Sequence, residues 1–263
     1  MRRPHTRPGK PRGPAQRPEE RKQRRVAGLA AVTALFERAP ETVAKLYLTE
    51  AMKGAANPLC LVLAKAHKQF RLVGAEELSR IAGTPMHGGI VALAEPRAVE
   101  PFDVGEAQRW ARAGKPLLML DGIGNPHNLG AIARTAAFFG IERLVVSDHP
   151  AQALPSDASA RVAEGGLEVM QVYRAHRLPD VLQRLKPYYR IVASALERGI
   201  PLADVELDTR PVALLLGNEE EGLSKATLDA AETIVTIPGS GAVQSLNVAA
   251  AAAILINAFA RKV

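Results

Sequence analysis

The chain has a single cysteine, Cys60, so no disulfide can form within it and a reducing compartment is expected. One thiol also excludes RNA-base methylation schemes that need two, and the apolar setting Leu59-Cys60-Leu61-Val62-Leu63 suits a core residue. No apolar run is long enough for a membrane span, since even Val248 to Ile256 is short and alanine-heavy. The start, MRRPHTRPGK, lacks the apolar core of a signal peptide, and a cytoplasmic protein is expected. Nucleotide-loop patterns are missing as well: Gly122-Ile123-Gly124 lacks the third glycine of the dinucleotide fingerprint, and no stretch fits the phosphate-loop pattern ending in Gly-Lys-Ser/Thr. His5, His67, His87, His127, His149 and His176 show no paired metal spacing, so no metal is expected.

Positive charge is plentiful but confined. Residues 1–25 hold ten of the 34 Lys and Arg against Glu19 and Glu20, which leaves 24 basic and 25 acidic residues in the remainder. Pro4, Pro8, Pro11, Pro14 and Pro18 prevent a regular helix, and almost no apolar side chain is available for burial, so residues 1–24 are expected to form a disordered basic tail. Such arms bind polyanions through phosphate contacts and counterion release, without reading sequence.

At 263 residues the chain can build one large or two modest domains. In the stretch from Arg25 to about Pro96, Val26, Leu29, Ala30, Val32, Thr33, Leu35 and Phe36 contain helical spacing. Leu46-Tyr47-Leu48 reads as a strand, Ala75 to Ile81 as a helix, and His87-Gly88-Gly89 as a turn before a closing strand at Ile90 to Leu93. With no metal-spaced partner, His87 reads as a turn histidine bonded to backbone. Pro96 to Pro116 reads as a connecting segment with a short helix around Glu106 to Ala113.

Three later stretches share one layout, a strand, a break carrying polar groups, then a helix. Leu117-Leu118-Met119-Leu120 is a continuous apolar run of the kind a parallel strand covered on both faces shows, broken by Asp121 to Pro126, with a helical pattern from near Asn128. Val212 to Leu216 repeats the strand and Gly217-Asn218-Glu219 the break. Thr236-Ile237-Pro238 then leads through a small-residue loop to an alanine-rich helix, for which Ser245 suits the N-cap. Ligands of parallel α/β sheets bind outside the carboxyl ends of strands, and three such ends carry Asn128 and Arg134, then Glu219, then Ser245 and Asn247.

In order and spacing these stretches resemble the three motifs of the SpoU family of RNA ribose 2′-O-methyltransferases, within the SPOUT superfamily, over roughly residues 116–263. The resemblance implies an α/β fold whose C-terminal parallel sheet carries a deep trefoil knot, a rare feature that periodicity does not predict. It implies S-adenosylmethionine as cofactor, RNA (tRNA or rRNA) as partner, and a homodimer paired through the knot domain. Asn128, Arg134, Glu219, Ser245 and Asn247 stand at the family's catalytic positions, and Gly217, Asn218, Ile237, Gly241 and Leu246 at its cofactor-binding positions. Gly239 stands where many members have methionine, and Glu219-Glu220-Glu221 are consecutive where one glutamate is common. The stretch before the motifs resembles the family's small α/β substrate-binding domain, including Gly28 and the His87-Gly88-Gly89 turn. The implied division is a tail at 1–24, an RNA substrate-binding domain at 25–96, a linker at 97–115 and a methyltransferase domain at 116–263.

The implied chemistry is methyl transfer to a ribose 2′-hydroxyl. It requires placing the hydroxyl, removing its proton and screening the developing oxyanion. A guanidinium hardly deprotonates, so Arg134 is expected to fix the adjacent phosphate and stabilise alkoxide. His127 either contacts RNA or packs beside Pro126, and Arg161 is either a substrate contact or a solvated helix arginine. Two other readings are a catalytically silent RNA-binding or assembly protein on the same fold and a base-nitrogen methyltransferase.

Overall fold

Two apolar patterns build two sheets in a computed structural model that describes residues 23–196, 199–218 and 221–260. The first unit runs β1 (Arg24–Ala27), α1 (Leu29–Arg38), β2 (Val43–Leu48), α2 (Lys53–Lys65), β3 (Gln69–Leu72), α3 (Ala75–Ala82) and β4 (Ile90–Ala94). Its sheet has the order β1-β4-β2-β3, with β4 antiparallel to both neighbours and β2 parallel to β3. Val26 lies on β1 opposite Ala92, not on the helix its spacing suggests. Gly28, at φ 92°, ends the strand in a conformation that side chains resist, and the helix begins only at Leu29. Cys60 is half-buried on α2 against this unit's core, and burial raises its thiol pKa.

The second unit runs β5 (Glu100–Pro101), α4 (Val104–Arg112), β6 (Leu117–Asp121), α5 (Pro126–Phe138), β7 (Arg143–Ser147), α6 (Asp157–Ala163), α7 (Gly166–Val169), β8 (Gln171–Ala175), α8 (Leu178–Leu185) and β9 (Arg190–Ser194). It ends with β10 (Ile200–Pro201), β11 (Val212–Gly217), α9 (Lys225–Ala230), β12 (Thr233–Thr236) and α10 (Val248–Ala260). Residues 97–115 carry β5, which pairs with β8, and α4, which buries Val104 and Ala107 in this unit's core.

All pairs of the sheet β10-β12-β9-β11-β6-β7-β8-β5 are parallel. A parallel sheet covered on both faces needs apolar residues at every strand position. Accordingly Leu118 and Leu120 pack with Ile132, Leu167 and Leu255 from α5, α7 and α10, while Leu117 and Met119 pack with Leu182 and Ala230 from α8 and α9. After β6, β7 and β8 are laid outward, the chain returns to place β9 and β11 on the other side of β6. Such a reversal opens a crevice at the strands' carboxyl ends. Among the described residues, no helix is long and apolar enough to cross a membrane.

Candidate active site

The loops after β6 and β11 are built around each other. Gly122 turns the chain at φ 82°, and a Cβ there would stand 3.3 Å from the Asn218 Cβ. Asn218 Nδ2 donates to the Gly122 carbonyl oxygen at 2.8 Å, and its Oδ1 accepts from the Glu221 N–H at 3.0 Å. Backbone bonds of 3.1 and 3.0 Å between Asn218 and Gly222 close the second loop on itself. Gly217 is required by that closure, because a Cβ on it would lie 2.6 Å from the Gly222 carbonyl carbon and the Leu223 nitrogen.

Chain from the third strand end completes the crevice. Ile237, Gly241, Ser245 and Leu246 line, with Gly217 and Asn218, a cavity of about 580 Å³. Its far wall is α10 through Val248, Ala251 and Leu255, and Ser194, Ala195 and Leu196 close it from the end of β9. Nothing in the local sequence marks these last three. They reach the cavity because β9 lies between β11 and β12, an adjacency that belongs to the sheet order and has no local signature.

Ser245 is not the cap of the last helix. It is exposed on the cavity wall, and the helix starts at Val248, where the Asn247 Oδ1 accepts the Ala249 N–H at 2.9 Å. The loop from Ile237 to Leu246 stays irregular to wrap the cavity, which moves the cap two residues on. Asn247 Nδ2 also donates to Asn128 Oδ1 at 3.2 Å, joining the first and third strand-end loops. Helix α5 likewise starts before Asn128: Asn125 caps it by accepting the His127 N–H at 2.8 Å, and Pro126 takes the first position, where no N–H is needed.

Arg134 stands apart from the cavity. It is exposed on α5, six residues or about 9 Å along the helix axis from Asn128, and its Nη1 lies 2.8 Å from Glu164 Oε1. Nothing local in the sequence marks Glu164, 30 residues away, as its partner. Glu219 and Glu220 lie outside the described residues, as do residues 1–22 of the basic tail. Arg24 and Arg25, counted with that tail, belong to β1 and pair with Glu168 at 2.6 Å and Asp157 at 3.5 Å. His87 accepts the Gly89 N–H on Nδ1 at 3.0 Å and meets Ser79 Oγ through Nε2 at 3.1 Å, as a turn histidine bonded to backbone. His127 is exposed, and Arg161 lies in the last turn of α6.

The cavity suits a ligand with one apolar and one polar end. Its volume is within the usual range for small-molecule sites, and Leu216, Val235 and Leu255 face it together with Ser194, Gln244 and Ser245. A sulfonium cofactor carrying an adenosine and an amino-acid end has that division.

Comparison with known proteins gives the same picture. Residues 115–257 match the SpoU rRNA Methylase family model, and residues 25–99 match the model for RNA 2′-O ribose methyltransferase substrate binding. An uncharacterised tRNA/rRNA methyltransferase, YfiF, of Escherichia coli O157:H7 is 34% identical over 94% of this chain and 70% of its own length. The 23S rRNA (guanosine-2′-O-)-methyltransferase RlmB of Nitrosomonas europaea is 30% identical over 88% of each chain. In fold, the chain is similar to the rRNA methyltransferase of Sinorhizobium meliloti solved with S-adenosylmethionine, with a TM-score of 0.74 and 21% identity over 93% of this chain and 88% of that one.

Proposed function

The chain belongs to the SpoU rRNA methylase family, and on that premise we propose that it transfers a methyl group from S-adenosylmethionine to a ribose 2′-hydroxyl of rRNA or tRNA. The observation that carries this reading is the single cavity onto which the loops after β11 and β12 converge, with Gly217, Asn218, Ile237, Gly241, Ser245 and Leu246 in its wall. Calorimetric titration of S-adenosylmethionine tests it. Saturable binding is expected, and no heat at millimolar cofactor would favour a silent RNA-binding protein.

S-adenosylmethionine, when bound, supplies the methyl group. The backbone and small side chains of the cavity would hold it, and Gly217 lets the loop after β11 close on Gly222 to form that wall. Asn128 and Asn247, bonded to each other at 3.2 Å, present amide groups to the ribose or to the methionine end of the cofactor. Arg134 takes the phosphate beside the reacting ribose. A guanidinium is a poor base, so Arg134 screens the developing alkoxide while the proton leaves through phosphate or water. The family resemblance assigns Glu219, which lies outside the described residues, the ordering of the loop after β11.

RNA binding begins in the first unit, residues 25–96, and in the basic segment before it, where residues 1–23 hold eight Lys and Arg against two Glu. Residues 97–115, whose β5 and α4 belong to the second unit's sheet and core, lead from it into a methyltransferase domain at 116–263. Two separate sheets and two family matches support a division into two domains. The family's knotted threading and a cytoplasmic location belong to the same reading. So does a homodimer, supported by the large apolar side chains the second unit leaves exposed, among them Phe138 at 83% and Ile254 at 39%. Light scattering should give about twice the 28.1 kDa of one chain, and a monomer would refute the pairing.

A further inference from the structure

The turn between α6 and α7 touches both units through contacts that leave little room for change. Glu164 ends α6 at φ 44° and ψ 46°, the left-handed region that a glutamate rarely adopts. Gly165 follows at φ 95°, where a Cβ would stand 3.3 Å from the Ala30 carbonyl oxygen and the Ala31 Cα of α1. A Cβ on Gly166 would lie 2.8 Å from the Cα of Arg134 and 3.0 Å from the Ala133 carbonyl oxygen on α5. Beyond them Glu168, its side chain 4% exposed, pairs with Arg24 of β1, and Arg97 donates to the Leu167 carbonyl oxygen. Burial draws the Arg97 guanidinium below its ordinary pKa against the pull of Glu168. The turn is thus keyed to α1 and β1 on one side and to the backbone of α5 at Arg134 on the other.

That turn aims the Glu164 carboxylate at the Arg134 guanidinium, 2.8 Å away. Carboxylate and phosphate present oxygens to the same fork of donors, so one excludes the other from it. Given the assignment of Arg134 to an RNA phosphate, on which this step rests, we propose that Glu164 is a positioning residue for Arg134. In the RNA-free chain its carboxylate holds the guanidinium by occupying the phosphate's place, and the phosphate displaces it on binding. Both side chains are more than half exposed, 56% and 57%, so water screens the pair and the exchange is easy.

The test is the affinity of wild type, Glu164→Gln and Glu164→Asp for a fluorescent single-stranded RNA of mixed sequence over a range of salt. Removing the competing charge should tighten binding roughly two- to five-fold, the scale of an exposed ion pair. The slope of log K against log salt should steepen by about 0.7, since the phosphate takes Arg134 without freeing a carboxylate that recruits a cation. Glu164→Asp keeps the charge and should behave as wild type, whereas a purely structural role would shift the unfolding midpoint and leave the salt slope alone. Wild-type affinity and slope in Glu164→Gln would overturn the proposal. Arg134→Gln separates the two layers: if it flattens the slope while Glu164→Gln is silent, only the role of Glu164 falls. If Arg134→Gln also binds with the wild-type slope, the phosphate assignment falls and takes the proposal with it.

Discussion

The cavity wall and the surface around Arg134 are held by different forces. Close packing and local hydrogen bonds make the wall: Gly217 against the Gly222 backbone, the Asn218 side chain bonded to the Gly122 carbonyl, and the 237–246 loop ending where the Asn247 side chain caps α10. Arg134 depends on one exposed ion pair at 2.8 Å. Buried backbone contacts resist substitution and are present before any ligand arrives, whereas a screened pair between long side chains can be exchanged for a better anion. On the proposed function, the cofactor would meet a preformed site and the RNA would complete its own.

Arg134→Ala breaks that contrast hardest. Loss of the cation should lower methyl transfer by roughly 10²–10³, the scale of removing one transition-state donor. Cofactor affinity should stay unchanged, because Arg134 does not line the cavity. Weakened S-adenosylmethionine binding by this variant would show that the two regions are not separate. Gly217→Ala is the converse. Its methyl group would sit 2.6 Å from backbone atoms, so the loop must shift, at a cost of about 1–3 kcal/mol in denaturant unfolding. Calorimetry should show cofactor binding weakened or lost, and tight binding by Gly217→Ala would mean that the wall is not preformed.

Asn247→Ala tests the joint between the regions and should have the smallest effect. It removes the cap on Ala249 and the bond to Asn128 together, for about 1 kcal/mol of stability. A wild-type unfolding midpoint would show that the bond does not hold the loops together.

What the sequence disclosed follows the same line. The strands β6 and β11 were legible because a doubly covered parallel strand must be apolar throughout, and the loops after them because glycine and asparagine break those runs. Ser245 misled because a serine before an alanine run is a good local cap, while the cavity-wrapping loop delays the helix to Val248. Val26 misled because its spacing suits a helix that Gly28 interrupts. Ser194 to Leu196 and Glu164 were invisible for another reason: sheet order brings the first to the cavity, and the packing of α6 on α5 brings the second to Arg134. Local chemistry is written in the chain, but adjacency across 30 to 50 residues is not.

The most direct measurement is mass analysis of nucleosides from rRNA and tRNA incubated with the protein and S-adenosylmethionine carrying an isotope-labelled methyl group. The account predicts that the label appears on ribose, as a 2′-O-methylnucleoside, and disappears with Arg134→Ala. Label on a base, or label on ribose that survives Arg134→Ala, would contradict it.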